Sequence, residues 1–249
     1  MFNKITLNHV KEIYRDKRKW WAAKLLLKMR VPGFVLMDSF PKIDKKLYGL
    51  QYYSQVYQDM YLDNCIFHGK IKGVFLDVGG NDPVHINNTY FFETSREWTG
   101  LAFEPVPQLN NEWKVHRKVE CLPYALGSVE KDVEFCEYEK NYMSGVEQAV
   151  DYKGTIKNKY MVSMKKLSTV LKEKRINYVD FMSLDVEGSE LDVLKGIDFQ
   201  KVYIYCIVIE NNKGRKKENE IRKLLLSLGF KLQAKLWIDE IWINQNSKN

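Results

Sequence analysis

The chain has 249 residues, 45% of them apolar, with 12 Phe, 15 Tyr and 6 Trp, which is enough to bury one large core and excludes a disordered or low-complexity protein. The formal net charge of +7 points to anionic partners, whether phosphates, nucleic acid or lipid headgroups. No segment reaches the roughly 20 apolar residues of a membrane span, and the start lacks the apolar core of a signal peptide. A cytoplasmic location is therefore expected, with reduced, dispersed thiols at Cys65, Cys121, Cys136 and Cys206.

The first element predicted is a basic helix over residues 10–30. Trp20, Trp21, Leu25, Leu26, Leu27 and Met29 give it a broad apolar side, Lys11, Arg15, Lys17, Arg18 and Lys19 a basic one, and Pro32-Gly33 ends it. The apolar side is expected to pack on the domain or on a second copy of the chain, as a homodimer. The basic side reads as a solvated face or an anion-binding one. Residues 1–50 thus form a basic helical N-terminal extension, and residues 51–249 the main domain.

From residue 51 the pattern alternates. Strands are predicted at 73–78, 100–105, 118–126, 132–139, 160–167, 180–186 and 202–210, and FKLQAKLWI and DEIWIN close the chain as a hairpin-like pair. Helical patterns fall near 55–67, 87–97, 107–117, 167–175, 188–195 and 216–228. Such alternation implies an α/β fold with a doubly wound, mostly parallel sheet, whose ligand sits beyond the carboxyl ends of the strands. Asp77, Glu104, Asp185 and Glu210 all fall at that edge.

The stretch FLDVGGNDP (75–83) delivers a strand to a glycine loop. Glycines accept positive φ and let backbones approach closely, and an acid at the tip of the next strand, Glu104, can take both hydroxyls of a ribose. The loop lacks the G-x-G-x-x-G of dinucleotide sites, which weighs against a nicotinamide-dependent oxidoreductase. Asp82 adds negative charge and Pro83 removes an N–H, both unfavourable to a pyrophosphate. A cationic, phosphate-free nucleoside fits better, and S-adenosylmethionine is one. Pro83 is expected to reshape the acceptor wall. A plain glycine turn is the bland alternative. No recognised nucleic-acid module accompanies the basic helix, so an RNA methyltransferase or nucleic-acid-binding protein is the alternative from another class, and a catalytically silent scaffold is a third.

These stretches together resemble the FkbM family of S-adenosylmethionine-dependent methyltransferases. YSQVYQDMYL (53–62), GVFLDVGGND (73–82), INNTYFFE (86–93), GLAFEPVP (100–107), SGV (144–146), LSTVLKE (167–173), DFMSLDVEGSELDVLKGIDF (180–199) and VIEN (208–211) match in order, and Asp239, Glu240 and Trp242 complete the pattern. The resemblance implies the class I methyltransferase fold, Rossmann-like, with a seven-strand sheet whose last strand is antiparallel. It implies that Asp77, Gly79 and Asn81 hold the methionine part of the cofactor and that Glu104 takes the ribose. Leu122 and Tyr124 would flank the adenine, and Gln55 and Thr89 would close the loop side. Asp82-Pro83 departs from the Asp-Gly common in relatives.

Methyl transfer to a hydroxyl profits from alignment and from a base that takes the proton. Asp185, at a strand tip in SLDVEGSE, is the first candidate for that base, with Glu187, Glu210 and Asn211 shaping the acceptor pocket. His85 is the second candidate, because imidazole titrates near neutrality, although a lone loop histidine is more often a surface residue. A divalent metal on Asp185 and Glu210 is a minority alternative, and no dedicated metal site is expected. The family acts on sugars, polyketides and other hydroxyl-bearing products. The basic surplus, with Lys213, Arg215 and Lys216, favours an anionic acceptor such as a nucleotide-linked sugar or a capsule or lipopolysaccharide precursor.

Overall fold

The computed structural model describes residues 50–139, 144–147, 154–212 and 214–247, with the backbone of Val35–Leu36 and Lys46–Leu47. The helix predicted at 10–30, and Lys213, lie outside these residues. In chain order the strands of the domain are β1 (Val74–Val78), β2 (Thr99–Phe103), β3 (Glu120–Leu122), β4 (Ala125–Leu126), β5 (Lys131–Tyr138), β6 (Gly145–Val146), β7 (Ile156–Lys165), β8 (Tyr178–Leu184), β9 (Tyr203–Glu210), β10 (Phe230–Leu236) and β11 (Asp239–Asn244). The helices are α1 (Gln58–Tyr61), which widens into a π turn at Leu62–Ile66, α2 (Tyr90–Arg96), α3 (Pro107–His116), α4 (Leu167–Glu173), α5 (Glu190–Lys195) and α6 (Arg215–Ser227).

The central sheet runs β3-β2-β1-β8-β9-β11-β10, and Val35–Leu36 adds a two-residue edge strand parallel to β10. Strands β3, β2, β1, β8 and β9 are parallel, while β11 runs against both neighbours. The sheet is therefore mixed, with the predicted closing hairpin at one edge. Phe75 pairs with Phe181 and Leu76 with Met182, so the period of two sends alternate residues to opposite faces. One face is aromatic, packing Phe75 and Phe181 against Met60, Phe91, Phe92, Trp98 and Trp113 from α1 to α3 and their loops. The other is aliphatic, packing Leu76, Met182 and Ile207 against Leu171, Val193, Leu194, Ile221 and Leu225 of α4 to α6. Both faces are buried, as a parallel sheet requires.

Three predicted strands behave differently. The run at 118–126 breaks at Pro123, which has no N–H for a ladder. Its first half stays in the central sheet as β3, while its second half, β4, pairs with β7. Strands β5 and β7, predicted as members of the alternating series, instead pair antiparallel in a separate four-stranded sheet ordered β4-β7-β5-β6. Only one side of this pair is apolar: Val133, Phe135, Val162 and Met164 pack with Val106 and Ala125. That single-sided burial suits an antiparallel sheet with one wet face.

Candidate functional site

Parallel pairing brings the carboxyl ends of β1, β2, β8 and β9 to one edge, where a cavity of about 640 Å³ opens, within the usual range for small-ligand sites. Asp77, Gly79, Asn81, Glu104, Tyr124, Gln55, His85, Asp185, Glu187 and Glu210 all line it. The folded chain thus gathers most of the residues singled out in the sequence.

The glycine loop is shaped by close packing. Gly79 has φ +81°, and a Cβ there would lie 1.7 Å from the carbonyl oxygen of Asp185; a Cβ on Gly80 would strike the Trp113 indole at 2.5 Å. Glycine at these positions lets the ends of β1 and β8 and the α3 tryptophan meet. Trp113 Nε1 then donates to the Asn81 carbonyl at 2.8 Å, holding the loop against α3.

Glu104 follows β2 and is buried, and each of its oxygens accepts one backbone N–H: Asn81 on Oε2 and Val106 on Oε1, both at 2.8 Å. Burial raises its pKa to about 7, against the lowering effect of those two donors and with a further rise from the Asp77 charge. Asp77 is also buried. Its Oδ2 accepts from Thr89 Oγ1 at 2.5 Å and from Asn87 Nδ2 at 3.1 Å. Burial raises its pKa, while Thr89, Arg117 and Asn87 oppose the rise.

The opposite end of the cavity is a carboxylate cluster. Asp185, Glu187 and Glu210 each place an oxygen within 4.8 Å of the others. The turn that aims Asp185 is tied by Glu190, whose Oε1 accepts from the N–H groups of Gly188 at 2.9 Å and Val186 at 3.3 Å. The Asp185 side chain is open to cavity water yet closely surrounded by protein. Its pKa is pushed well above the carboxylate range by desolvation first, then by the charges of Glu210, Glu187, Asp239 and Glu190. Water entering the open cavity moderates the desolvation, whereas the like charges act whether or not a ligand is bound. Asp239, opposite Glu210 in the β9–β11 pairing, accepts from the Gln58 amide, and burial raises its pKa to about 7. A carboxylate held at a raised pKa is a stronger proton acceptor once ionised, which suits Asp185 to taking up a proton.

Other residues fall elsewhere. Thr89 is buried outside the cavity lining and acts on Asp77 through its hydroxyl. Leu122 belongs to the aliphatic core, with Tyr124 packed against that core and lining the cavity. Asn211 is buried behind the site, its amide donating to Glu240 Oε2 at 3.0 Å and its Oδ1 without a hydrogen-bond partner among the described residues. His85 is exposed, and its backbone N–H donates to Asp82 Oδ1 at 2.7 Å. Pro83, expected at the acceptor wall, is buried away from the cavity instead, because its carbonyl accepts from the Arg117 guanidinium at 2.8 Å.

Sequence reasoning missed Phe135 and Val146, which wall the cavity from the second sheet, and Trp237 and Ile238 from the β10–β11 turn. Asn88 and Ser183, joined by a 3.0 Å hydrogen bond, also line it. The polar pair Asn87-Asn88 ahead of α2 was the visible signal; nothing local marks the others. Among the described residues no Lys or Arg lines the cavity, while Asp77, Asp82, Glu104, Asp185, Glu187 and Glu210 do. Among the described residues no helix is long and apolar enough to cross a membrane, and the four cysteines are free thiols.

A family model described as the methyltransferase FkbM domain matches residues 77–232. Among solved structures, a methyltransferase FkbM from Methylobacillus flagellatus KT is similar with a TM-score of 0.47 and 12% identity, over 77% of this chain and 48% of that one. This chain spans about half the length of that protein. No curated protein matches it.

Proposed function

The chain belongs to the FkbM methyltransferase family, and on that premise we propose that it is an S-adenosylmethionine-dependent O-methyltransferase acting on a sugar hydroxyl, in a nucleotide-linked sugar or a capsule or lipopolysaccharide precursor. The observation that carries this is the two-ended cavity, with a buried, backbone-pinned carboxylate at one end and the clustered carboxylates of Asp185, Glu187 and Glu210 at the other. The strand order β3-β2-β1-β8-β9-β11-β10, with β11 reversed, supports the class I methyltransferase, Rossmann-like plan.

The donor set suits the cofactor. Glu104 keeps lone pairs beyond its two backbone N–H bonds, as a vicinal diol needs. Tyr124, Leu126, Leu109 and Phe135 offer an apolar slot beside it. Asp77, Gly79 and Asn81 would hold the amino-acid part, and a lining that is acidic and without Lys or Arg among the described residues favours a sulfonium and an ammonium over a diphosphate. When bound, S-adenosylmethionine supplies an electrophilic methyl group. Asp185 would take the acceptor proton, with Glu187 and Glu210 sharing the charge. His85, at the cavity mouth, is the alternative base.

The cavity itself favours a neutral sugar ring. Asn212 lines the cavity, and Arg215 and Lys216, which follow it at the start of α6, are the basic residues that would meet an attached diphosphate. The three clustered carboxylates also suit a hard divalent cation, and loss of turnover on chelation, restored by magnesium, would give them that role. The deciding experiment incubates the protein with S-adenosylmethionine and a panel of nucleotide sugars and follows the gain of one methyl by mass spectrometry. Transfer only to lipid-linked or natural-product hydroxyls refutes the sugar assignment, and transfer only to RNA refutes the reaction class.

A further inference from the structure

Arg117 follows α3, and its side chain is fully buried. A guanidinium in that position is costly unless its donors are met. Nε donates to Glu93 Oε2 at 2.5 Å, Nη1 to the Pro83 carbonyl at 2.8 Å and Asn87 Oδ1 at 3.3 Å, and Nη2 to Thr89 Oγ1 at 2.9 Å. Its central carbon lies 4.3 Å from the Trp113 ring centre, the same tryptophan that holds the Asn81 carbonyl. One contact balances charge; the other three fasten residues 83, 87 and 89, the segment that leads from the glycine loop into α2.

The direction of these bonds matters. A guanidinium can only donate, so Arg117 occupies a lone pair of Thr89 Oγ1 and leaves that hydroxyl to donate its own proton. The nearest acceptor is Asp77 Oδ2 at 2.5 Å, with Asn87 Oδ1 at 3.0 Å. Asn87 is oriented in the same way: its Oδ1 takes the N–H groups of Thr89 at 2.9 Å and Tyr90 at 2.8 Å, so its amide nitrogen faces Asp77. Thr89 Oγ1 and Asn87 Nδ2 thus both donate to Asp77 Oδ2, and neither bond needs Asp77 to carry a proton; Asn87 Nδ2 also reaches the carbonyls of Asp82 at 3.2 Å and Gly80 at 3.4 Å.

We propose that Arg117 is a positioning residue for the cofactor: by holding Pro83, Asn87 and Thr89 it turns the Thr89 hydroxyl onto Asp77 and presents that carboxylate to the cavity as a fixed, charged acceptor. The inference rests on the cofactor reading above. The same guanidinium also anchors the loop through the backbone carbonyl of Pro83, which lies outside the cavity lining. Arg117 acts on the capture of a cation-bearing ligand and leaves the proton-taking end of the cavity untouched.

The test is calorimetric binding of S-adenosylhomocysteine, which shares the amino-acid and ribose parts, by wild type, Arg117→Met and Thr89→Val between pH 6 and 9. The charged or titratable groups around Asp77 are Arg117, Glu93, Glu104 and Cys121. Arg117→Met removes the partner of Glu93, whereas Thr89→Val keeps that ion pair, so a pH trend shared by the two variants assigns the effect to Asp77. The expected ratio for Arg117→Met is a loss of tenfold or more at pH 7 that shrinks toward pH 9, as alkali ionises Asp77 without the guanidinium. Thr89→Val should move in the same direction by less. A ratio that does not change with pH, or wild-type affinity in Arg117→Met, overturns the proposal. If Arg117→Met does not fold, a pH-independent ratio for Thr89→Val, which keeps the side-chain shape, overturns it equally. Wild type that fails to bind S-adenosylhomocysteine overturns the cofactor reading and this inference together, whereas wild-type binding with unaffected variants overturns this inference alone.

Discussion

Glu104→Gln should separate the cost of the site from its use. The carboxyl is buried, and its pKa rises to about 7 from an ordinary 4.5. Folded protein therefore binds more protons here than unfolded protein across that window, and stability falls as pH rises through it. A rise from the ordinary carboxylate range to about 7 corresponds to about 3 kcal/mol at full ionisation. Glutamine carries no such cost, but its amide must meet one of the two backbone N–H groups with a donor, a loss of about 1–2 kcal/mol. The ligand-free variant should thus be less stable than wild type near pH 5 and more stable near pH 8. The relative change of about 3 kcal/mol corresponds to roughly 6–12 °C in Tm for a chain of this size. Asp185 and Asp239 titrate in both proteins and cancel in the comparison. At pH 8 the same variant should bind S-adenosylhomocysteine about 10- to 100-fold more weakly, having lost charge-assisted hydrogen bonds to the ribose. Thermal unfolding of both proteins at the two pH values reads the first effect and calorimetry the second. A stability difference that is constant with pH would refute the placement of an ionisable, desolvated carboxylate at this position.

Asp185→Asn should leave S-adenosylhomocysteine affinity within about threefold while turnover falls by about 10²-fold or more, as for loss of a general base; retained turnover in single-turnover assays would shift the base to His85. Gly79→Ala should lower stability by about 2 kcal/mol or more, because φ +81° and the Asp185 carbonyl leave no room for a Cβ, and an unchanged Tm would show that the loop can move aside. Neutralising Lys213, Arg215 and Lys216 together should weaken an acceptor that carries a diphosphate by about tenfold at low salt and spare a neutral one. Equal affinities across that triple variant, measured by acceptor titration, would remove charge from the recognition.

The strand–helix order, the glycine loop and the four acids at the strand tips are legible in the residues alone, because they follow from periodicity of two and 3.6 and from the φ freedom of glycine. Asp77, Glu104, Asp185 and Glu210 reach one cavity because parallel strands put like ends together. That β5 and β7 leave the series and wall the site with Phe135 emerges only in the folded chain, since a strand's alternation does not name its partner. The folded chain also shows that the Pro83 carbonyl meets Arg117, and that carboxylates, with no Lys or Arg among the described residues, line the cavity. Those outcomes depend on which distant side chains meet, and burial then sets the charge each can hold.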